Sequence, residues 1–426
     1  MNVEDLVLVS VDDHVIEPPD VFARHVPERW QDQRPVQVEQ PDGTIVWRYQ
    51  GEEAATLALN AVVGRSPEEL GYEPTSYDEI RKGCYDVTER VRDMDAGGVL
   101  GSLCFPSFPG FAGRLFATAP DKAISEVMVR AYNDWHVHEW CGAAPGRFIP
   151  LGIGPLWDPH VLAAEVRRLA ELDCHAVTFS ENPDRLGLPS LHSDTWDPFW
   201  AACSDVGTVP CIHIGSSSEL TMTSMDAPVD VVTTLAPFAI MKCATDLVWS
   251  PIFRKFPDLR IALSEGGIGW VPYLLDRVDR TYKRHRYWTG QDFGDRLPSE
   301  VFREHVVTCF IQDPVGLANR HAIGVENITW ECDYPHGDSI WPYSPEELLL
   351  EADGLSDEEI DLITHRNAMR IFRFDPFAVR PREACTVGAL RAQAARSNVD
   401  TAEHRTGIRR GKPGQTMEQV IAQTNV

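Results

Sequence analysis

The stretch "VSVDDHVIEPPDVF" (residues 9–22) decides how this chain is read. An apolar, β-branched run ends in two aspartates and a histidine, as a buried strand does when it delivers polar side chains at its C-terminal end. Residues two apart on a strand share a face, so Asp12 and His14 point one way and Asp13 the other. A polar turn alone would explain such a motif. Its partners elsewhere in the chain decide the matter.

Seven further apolar runs follow: "GVLGSLCF" (98–105), "RFIPLGIG" (147–154), "CHAVTFS" (174–180), "TVPCIHIG" (208–215), "LRIALSE" (259–265), "VVTCFI" (306–311) and "ITWECD" (328–333). Helical patterns at 121–140, 158–172, 194–206, 229–255, 270–287 and 315–323 lie between them. Nearly continuous apolar runs suit parallel strands buried on both faces. Eight β-α repeats without a GxGxxG turn predict an α/β fold of the (β/α)8 TIM-barrel type rather than an open nucleotide-binding sheet. The barrel is assigned to residues 1–377, with an insertion at 17–95 after the first strand. Within it, "VQVEQPDGTIVWRYQGEE" (36–53) places Asp42-Gly43 between two β-like runs and predicts a hairpin beside the mouth. Residues 378–426 read as a C-terminal arm, a surface or disordered tail poor in large apolar residues.

Composition narrows the function. The 426 residues carry a net charge of −25, which excludes an extended basic surface for nucleic acid or anionic lipid. Ten cysteines include no CxxC pair, which fits a reducing compartment. No secretory leader is visible, and no run approaches the roughly 20 apolar residues that span a bilayer. The expectation is a cytoplasmic protein that meets neither membrane nor nucleic acid.

Barrel chemistry sits at the C-terminal ends of the strands. Those ends carry Asp12 and His14, then His213, Glu265 and Asp333. Asp12, His14, His213 and Asp333 form a mixed nitrogen and oxygen set that suits one divalent metal ion, zinc first, with manganese or iron as alternatives. His136 and His138 share an HxH spacing but fall in a helical pattern, which turns them about 200° apart. His175 opens its strand from the other end. Ser216–Ser218 lack a GxSxG elbow, and Cys332 points away from its neighbour Asp333.

With these motifs in place, the sequence resembles the amidohydrolase-related family that includes aminocarboxymuconate-semialdehyde decarboxylase and γ-resorcylate decarboxylase. The resemblance spans about residues 7–377 and rests on D-x-H with "EPPD", "HIG", "DYPH", "LDRVDR" (275–280) and "LITHRNAMRIFRF" (362–374). It implies a TIM barrel holding one divalent metal through Asp12, His14, His213 and Asp333. It also implies a pocket residue at His336. The family sets a proton-transferring histidine after strand six, where this chain has Glu265. That glutamate is read as a base, a fifth ligand or a carboxylate fixing His213. Arg65, Arg81 and Arg114 are candidates for a substrate carboxylate, and the aromatics of "CFPSFPGF" (104–111) and Trp270 for an apolar pocket wall.

The leading expectation is a metal-dependent hydrolase acting on a carboxylated aromatic or cyclic small molecule through metal-activated water, with Asp333, Glu265 and His213 as its catalytic groups. The alternative is a non-oxidative metal-dependent decarboxylase. A third reading is a non-catalytic barrel that only binds its ligand. A homodimer is one assembly the reading allows.

Overall fold

In the computed structural model the apolar runs become strands because both of their faces are covered. It describes residues 1–54, 57–71, 73–405, 407 and 414–420, with the backbone alone for 421–424. The strands, in chain order, are β1 (Leu8–Val15), β2 (Val36–Glu39), β3 (Ile45–Tyr49), β4 (Glu52–Ala54), β5 (Val99–Pro106), β6 (Phe148–Ile149), β7 (Ala176–Ser180), β8 (Val209–His213), β9 (Ile261–Ser264), β10 (Val306–Phe310) and β11 (Ile328–Trp330). Strands β2–β4 belong to the insertion, and the other eight are the staves of a (β/α)8 TIM barrel.

Parallel pairing joins β1–β5–β6 and, separately, β7–β8–β9–β10–β11. Two seams link these groups. Gly152, just past β6, bridges Val177 of β7 in parallel. Across the other seam, Asp333 donates its N–H to the Asp12 carbonyl at 2.9 Å, and His14 donates to the Tyr334 carbonyl at 2.7 Å. Register then sets the strand ends level: Ser180 pairs with His213, and His213 with Ser264.

Aspartates fix where several helices begin. Asp86, Asp121 and Asp158 accept backbone N–H groups at the starts of Val87–Gly97, Lys122–Trp135 and Pro159–Glu171. Lys122–Trp135 unwinds into a π turn at His136–Cys141. There His136 is buried and burial pushes its pKa down to about 3, while His138 is exposed, so the two cannot share an ion. One stretch corrects the expectation about apolar runs. Val229–Trp249 is 21 residues long, and an 18-residue stretch within it has mean hydropathy 1.5, enough for a span by length and composition alone. It is divided into Val229–Leu235 and Phe238–Trp249 around Pro237, and Ile240, Ala244 and Leu247 of its second half are buried in the core.

The insertion is more than a hairpin. β2 and β3 pair antiparallel with Val38 opposite Val46, and β4 adds a third strand, with Trp47 opposite Ala54. Trp47 packs on Phe108 from the loop after β5, ring centroids 4.3 Å apart. The helix Val87–Gly97, which occupies the end of the 17–95 segment, returns the chain to β5. The C-terminal segment also departs from a bare tail. Helix Val387–Ser397 buries Val387 in the main core and Leu390 beside Val7 and Leu100. His404 donates its N–H to the Gly64 carbonyl at 2.9 Å, and Met417 to the Ala227 carbonyl at 3.1 Å. The parts of both segments at 55–56, 72, 406, 408–413 and 425–426 lie outside the described residues.

Glu17 locks the mouth loops together. Its fully buried carboxylate accepts the N–H groups of Ser107 (3.0 Å) and Phe108 (2.8 Å) and the Tyr132 hydroxyl (3.0 Å). Burial outweighs these bonds and raises its pKa to about 7. The folded state therefore holds a proton between pH 4.5 and 7 that the unfolded chain has released, so this group makes stability fall as pH rises. Relative to Glu17→Gln, the wild type should lose roughly 2–3 kcal/mol between pH 4.5 and 7. Urea unfolding at both pH values measures this, and parallel curves for the two proteins would contradict it.

Candidate metal centre

Strand geometry gathers six side chains at one end of the barrel. β1 supplies Asp12 and His14, which end wholly buried on its inner face. Asp13, turned the other way, accepts the Tyr334 N–H at 3.0 Å and a Ser10 hydroxyl at 3.1 Å, and so belongs to the barrel wall. His213 ends β8, Glu265 follows β9, and Asp333 and His336 follow β11. Glu265 and Asp333 both adopt φ of +54°, in the left-handed region that costs a non-glycine residue about 1 kcal/mol or more. Such turns at two strand ends bend the chain so that both carboxylates face the mouth.

The donor atoms crowd together. His14 Nε2 lies 3.2 Å from His213 Nε2 and 3.4 Å from both Asp12 Oδ1 and Asp333 Oδ1. His213 Nε2 lies 3.4 Å from Asp12 Oδ2 and 2.8 Å from Glu265 Oε2. Donors about 2.0–2.2 Å from a shared ion stand roughly 3.0–3.5 Å from one another. Two overlapping sets meet this need: Asp12, His14 and His213, and His14, Glu265, Asp333 and His336, with each set's ligand atoms within 4.8 Å of one another. His213 donates from Nδ1 to the Ile214 carbonyl at 2.6 Å, which leaves Nε2 as the lone-pair side.

Charge makes the same case. Burial first, then the carboxylates of Glu331, Glu265 and Asp333, holds Asp12 well above the ordinary carboxylate range. Asp333 is raised by burial and then by Glu265. Burial, then His336 and His213, pushes His14 well down. For His213, burial works downward but the Glu265 charge and hydrogen bond prevail, and Glu265 is correspondingly lowered despite its own burial. Both oxygens of Asp12 and both of Asp333 are buried without a hydrogen bond, as is His336 Nε2. Unpaired buried carboxylates are costly, and a divalent cation replaces the protons they would otherwise take up. The side chains present therefore fit such an ion.

His336, expected only as a pocket residue, stands inside this cluster. Its Nδ1 is 2.8 Å from Asp333 Oδ1, and its ring lies 3.8 Å from that of His14. Arg81 is a correction. Asp93 takes both its Nη2 (2.6 Å) and its Nε (3.2 Å), so the fork that would grip a substrate carboxylate is filled. Trp270 spends its indole N–H on the Gly266 carbonyl at 2.7 Å. Arg65 is buried and donates to the Glu79 carbonyl. Arg114 is exposed at the rim of a 400 Å³ cleft shared with Arg185 and Ser217.

One residue escaped the sequence reading. Glu331 lies beneath the donors, accepting the Glu265 N–H at 3.2 Å and standing 2.6 Å from Cys309 Sγ. Burial raises its pKa to about 8, against a Cys309 hydrogen bond that lowers it. Its spacing of two from Asp333 was the available signal. Phe111 sets its ring 4.0 Å from that of His213 and 5.0 Å from that of His14. It belongs to the "CFPSFPGF" aromatics expected to line an apolar pocket, and of these it and Phe105 face the histidines.

The amidohydrolase family profile matches residues 81–374. Among solved structures, an amidohydrolase from Mycobacterium avium subsp. paratuberculosis K-10 aligns with TM-score 0.66 at 20% identity, covering 86% of this chain and 99% of the other. The 5-carboxyvanillate decarboxylase LigW from Sphingomonas paucimobilis aligns with TM-score 0.60 at 20% identity, over 87% of this chain and 100% of that one. A dihydroxybenzoic acid decarboxylase from Polaromonas sp. JS666, solved with manganese and the inhibitor 2-nitroresorcinol, gives TM-score 0.55 at 19% identity over 73% and 96%. No curated protein matches the sequence.

Asp333→Asn removes one charge from the donor set and should weaken ion retention by at least roughly 10–100-fold. Elemental analysis should find about one divalent ion per wild-type chain and a small fraction of that in the variant. A folded wild type that takes up no zinc, manganese or iron would contradict the assignment.

Proposed function

The chain belongs to the amidohydrolase family, and from that membership we propose that it is a metal-dependent, non-oxidative decarboxylase of a carboxylated aromatic small molecule. The observation that carries this reading is the Asp333–His336 pair, 2.8 Å apart among the donors, with the Phe111 ring facing the histidines. Asp12, His14, His213 and Asp333 would hold the ion, with Glu265 as a further donor. The ion would supply a Lewis acid for the substrate's oxygen atoms.

The chain's own groups do the rest. Phe111 and Phe105, whose rings lie 4.0 and 4.9 Å from that of His213, offer an aromatic substrate an apolar face and exclude water from its carboxylate. When the bond to that carboxylate breaks, its electron pair stays on the ring carbon and carbon dioxide departs. A proton must then reach that carbon, and His336, whose Nδ1 lies 2.8 Å from Asp333 Oδ1, is placed to deliver it. In this reading His336 performs the proton transfer for which the family uses a strand-six histidine. Two of the structural neighbours are named as aromatic-acid decarboxylases, which supports the choice.

Hydrolysis remains as a second reading on one observation: Glu265, 17% exposed and lowered by His213, is a carboxylate able to accept a proton from water. Product analysis separates the two. The ion-loaded protein is incubated with hydroxybenzoates and with aromatic lactones in heavy water. Decarboxylation releases carbon dioxide and leaves one deuterium on the ring carbon, and His336→Ala should slow it about 10²–10⁴-fold. Lactone opening without carbon dioxide would favour hydrolysis. No turnover of either class would favour a barrel that only binds.

A further inference from the structure

The opposite pole of the barrel carries a feature that the proposed reaction leaves unused. After β11 the chain passes beneath the strands. Asn367 donates to the Val325 and Ile328 carbonyls, both at 2.8 Å, at the start of β11. A Cβ at Gly101, near the start of β5, would stand 2.6 Å from the Phe374 ring. Gly207, just before β8, leaves room for the Arg373 guanidinium, which any side chain there would strike. Residues 365–382 thus cover the N-terminal strand ends, while the metal donors lie beyond the C-terminal ones.

A cleft of about 460 Å³ opens within this segment, inside the roughly 300–1,000 Å³ typical of small-molecule sites. Arg366, Arg370, Arg373 and Arg382 line it, against the single carboxylate of Asp375. In a chain of net charge −25, carboxylates are the most abundant partners an arginine meets. Two of the four have one. Arg366 pairs with Glu358 at 2.6 Å and Asp361 at 2.8 Å, and Arg382 reaches Asp361 at 3.4 Å.

Arg370 and Arg373 differ. Arg370 donates to neutral acceptors, the Glu326 carbonyl (2.6 Å) and Asn367 Oδ1 (3.2 Å). Arg373 makes no ion pair with a carboxylate among the described residues. Asp375 is already engaged, accepting the Phe377 and Ala378 N–H groups at 3.1 and 3.2 Å. The field of the cleft is positive: buried His365 in its wall is pushed down to about 3, by burial and then by the charges of Arg382 and Arg366. Beneath the arginines, Met369, Phe374 and Phe377 form an apolar floor.

We propose that this cleft binds a small organic carboxylate, its head held by Arg370 and Arg373 and its apolar body resting on Met369, Phe374 and Phe377. The guanidinium fork matches a carboxylate through two parallel hydrogen bonds, and the apolar floor selects against a bare inorganic anion. The site is independent of the metal centre and of the decarboxylase reading.

Equilibrium dialysis with benzoate tests it, on wild type, the double variant Arg370→Ala/Arg373→Ala, and Asp333→Asn at the other pole. The double variant should weaken benzoate binding about tenfold or more, since each lost charge-assisted pair is worth that much. Arg373→Lys, which keeps the charge and loses the fork, should also weaken it, and guards against a double variant that fails to fold. Asp333→Asn should retain this binding. Unchanged affinity in a folded double variant would overturn the proposal, as would loss of all binding in Asp333→Asn alone. So would inorganic phosphate displacing benzoate at equal or higher affinity, because the floor would then contribute nothing.

Discussion

Closure of the barrel between β11 and β1 is the constraint on which the candidate metal centre depends. Two backbone hydrogen bonds, from Asp333 to Asp12 and from His14 to Tyr334, bring the first-strand donors against the last-strand ones. The side chain between the first-strand donors strengthens the same seam. Asp13 accepts the Tyr334 N–H and the hydroxyls of Ser10 and Ser102, and burial lifts its pKa to about 6 against the charge of Arg90. Arg90, itself buried, donates to the His14 and Gly83 carbonyls and rests over the Tyr334 ring, 4.3 Å from its centroid. Each such bond, if broken with its partner left buried, costs about 1–3 kcal/mol. The DDH motif therefore divides its labour: its outer members face the candidate metal centre, and its middle member holds the wall that positions them.

That seam concentrates charge that the fold alone does not neutralise. Asp12, Glu265, Glu331 and Asp333 share one buried volume with two histidines whose nitrogens meet at 3.2 Å. Like charges this close cannot all ionise without a cation. The His213–Glu265 pair relieves one carboxylate, and the raised values of the others mark what is left. Two left-handed residues at strand ends add backbone strain in the same place. A site assembled against these costs couples ion binding to folding, because the unfolded chain offers no such constellation.

The barrel was legible because its strands are buried on both faces, so each reads as a continuous apolar run whatever surrounds it. Donor identity was legible for Asp12 and His14 through the two-residue period, which holds here even though the β1–β5 register slips between Ser10 and Asp13. The same period applied to Asp333 would have exposed Glu331. Other features were not written locally. β4 is three residues, two of them glutamate, and carries almost no β signal. Helix Val387–Ser397 anchors through Val387 and Leu390, too sparse a stripe to stand out. Arg81 looked available because its partner Asp93 belongs to the next helix, and only the fold pairs them. The Val229–Trp249 stretch reads as a helical pattern rather than a span because Asp230, Pro237, Lys242 and Asp246 interrupt its apolar residues.

What enters the mouth is governed less by the barrel than by the chain added to it. Val63 of the insertion donates its N–H to the Pro335 carbonyl at 3.0 Å, and Gly337 has so little room that a Cβ would stand 3.3 Å from Asn60. The insertion is thus bonded directly to the loop that carries Asp333 and His336. Glu73 follows from the same contact. It accepts the Asn60 N–H at 2.9 Å, burial raises its pKa to about 7, and the His336 charge acts on it in the opposite direction. The C-terminal segment ties these pieces down, binding Gly64 and Glu69 on one side and Ala227, in the loop after β8, on the other. The strands fix which donor atoms meet at the candidate metal centre. Residues from outside the strand-helix repeat fix the wall that a substrate must pass, so members of one barrel family can keep a metal centre and exchange its substrate by changing these added segments.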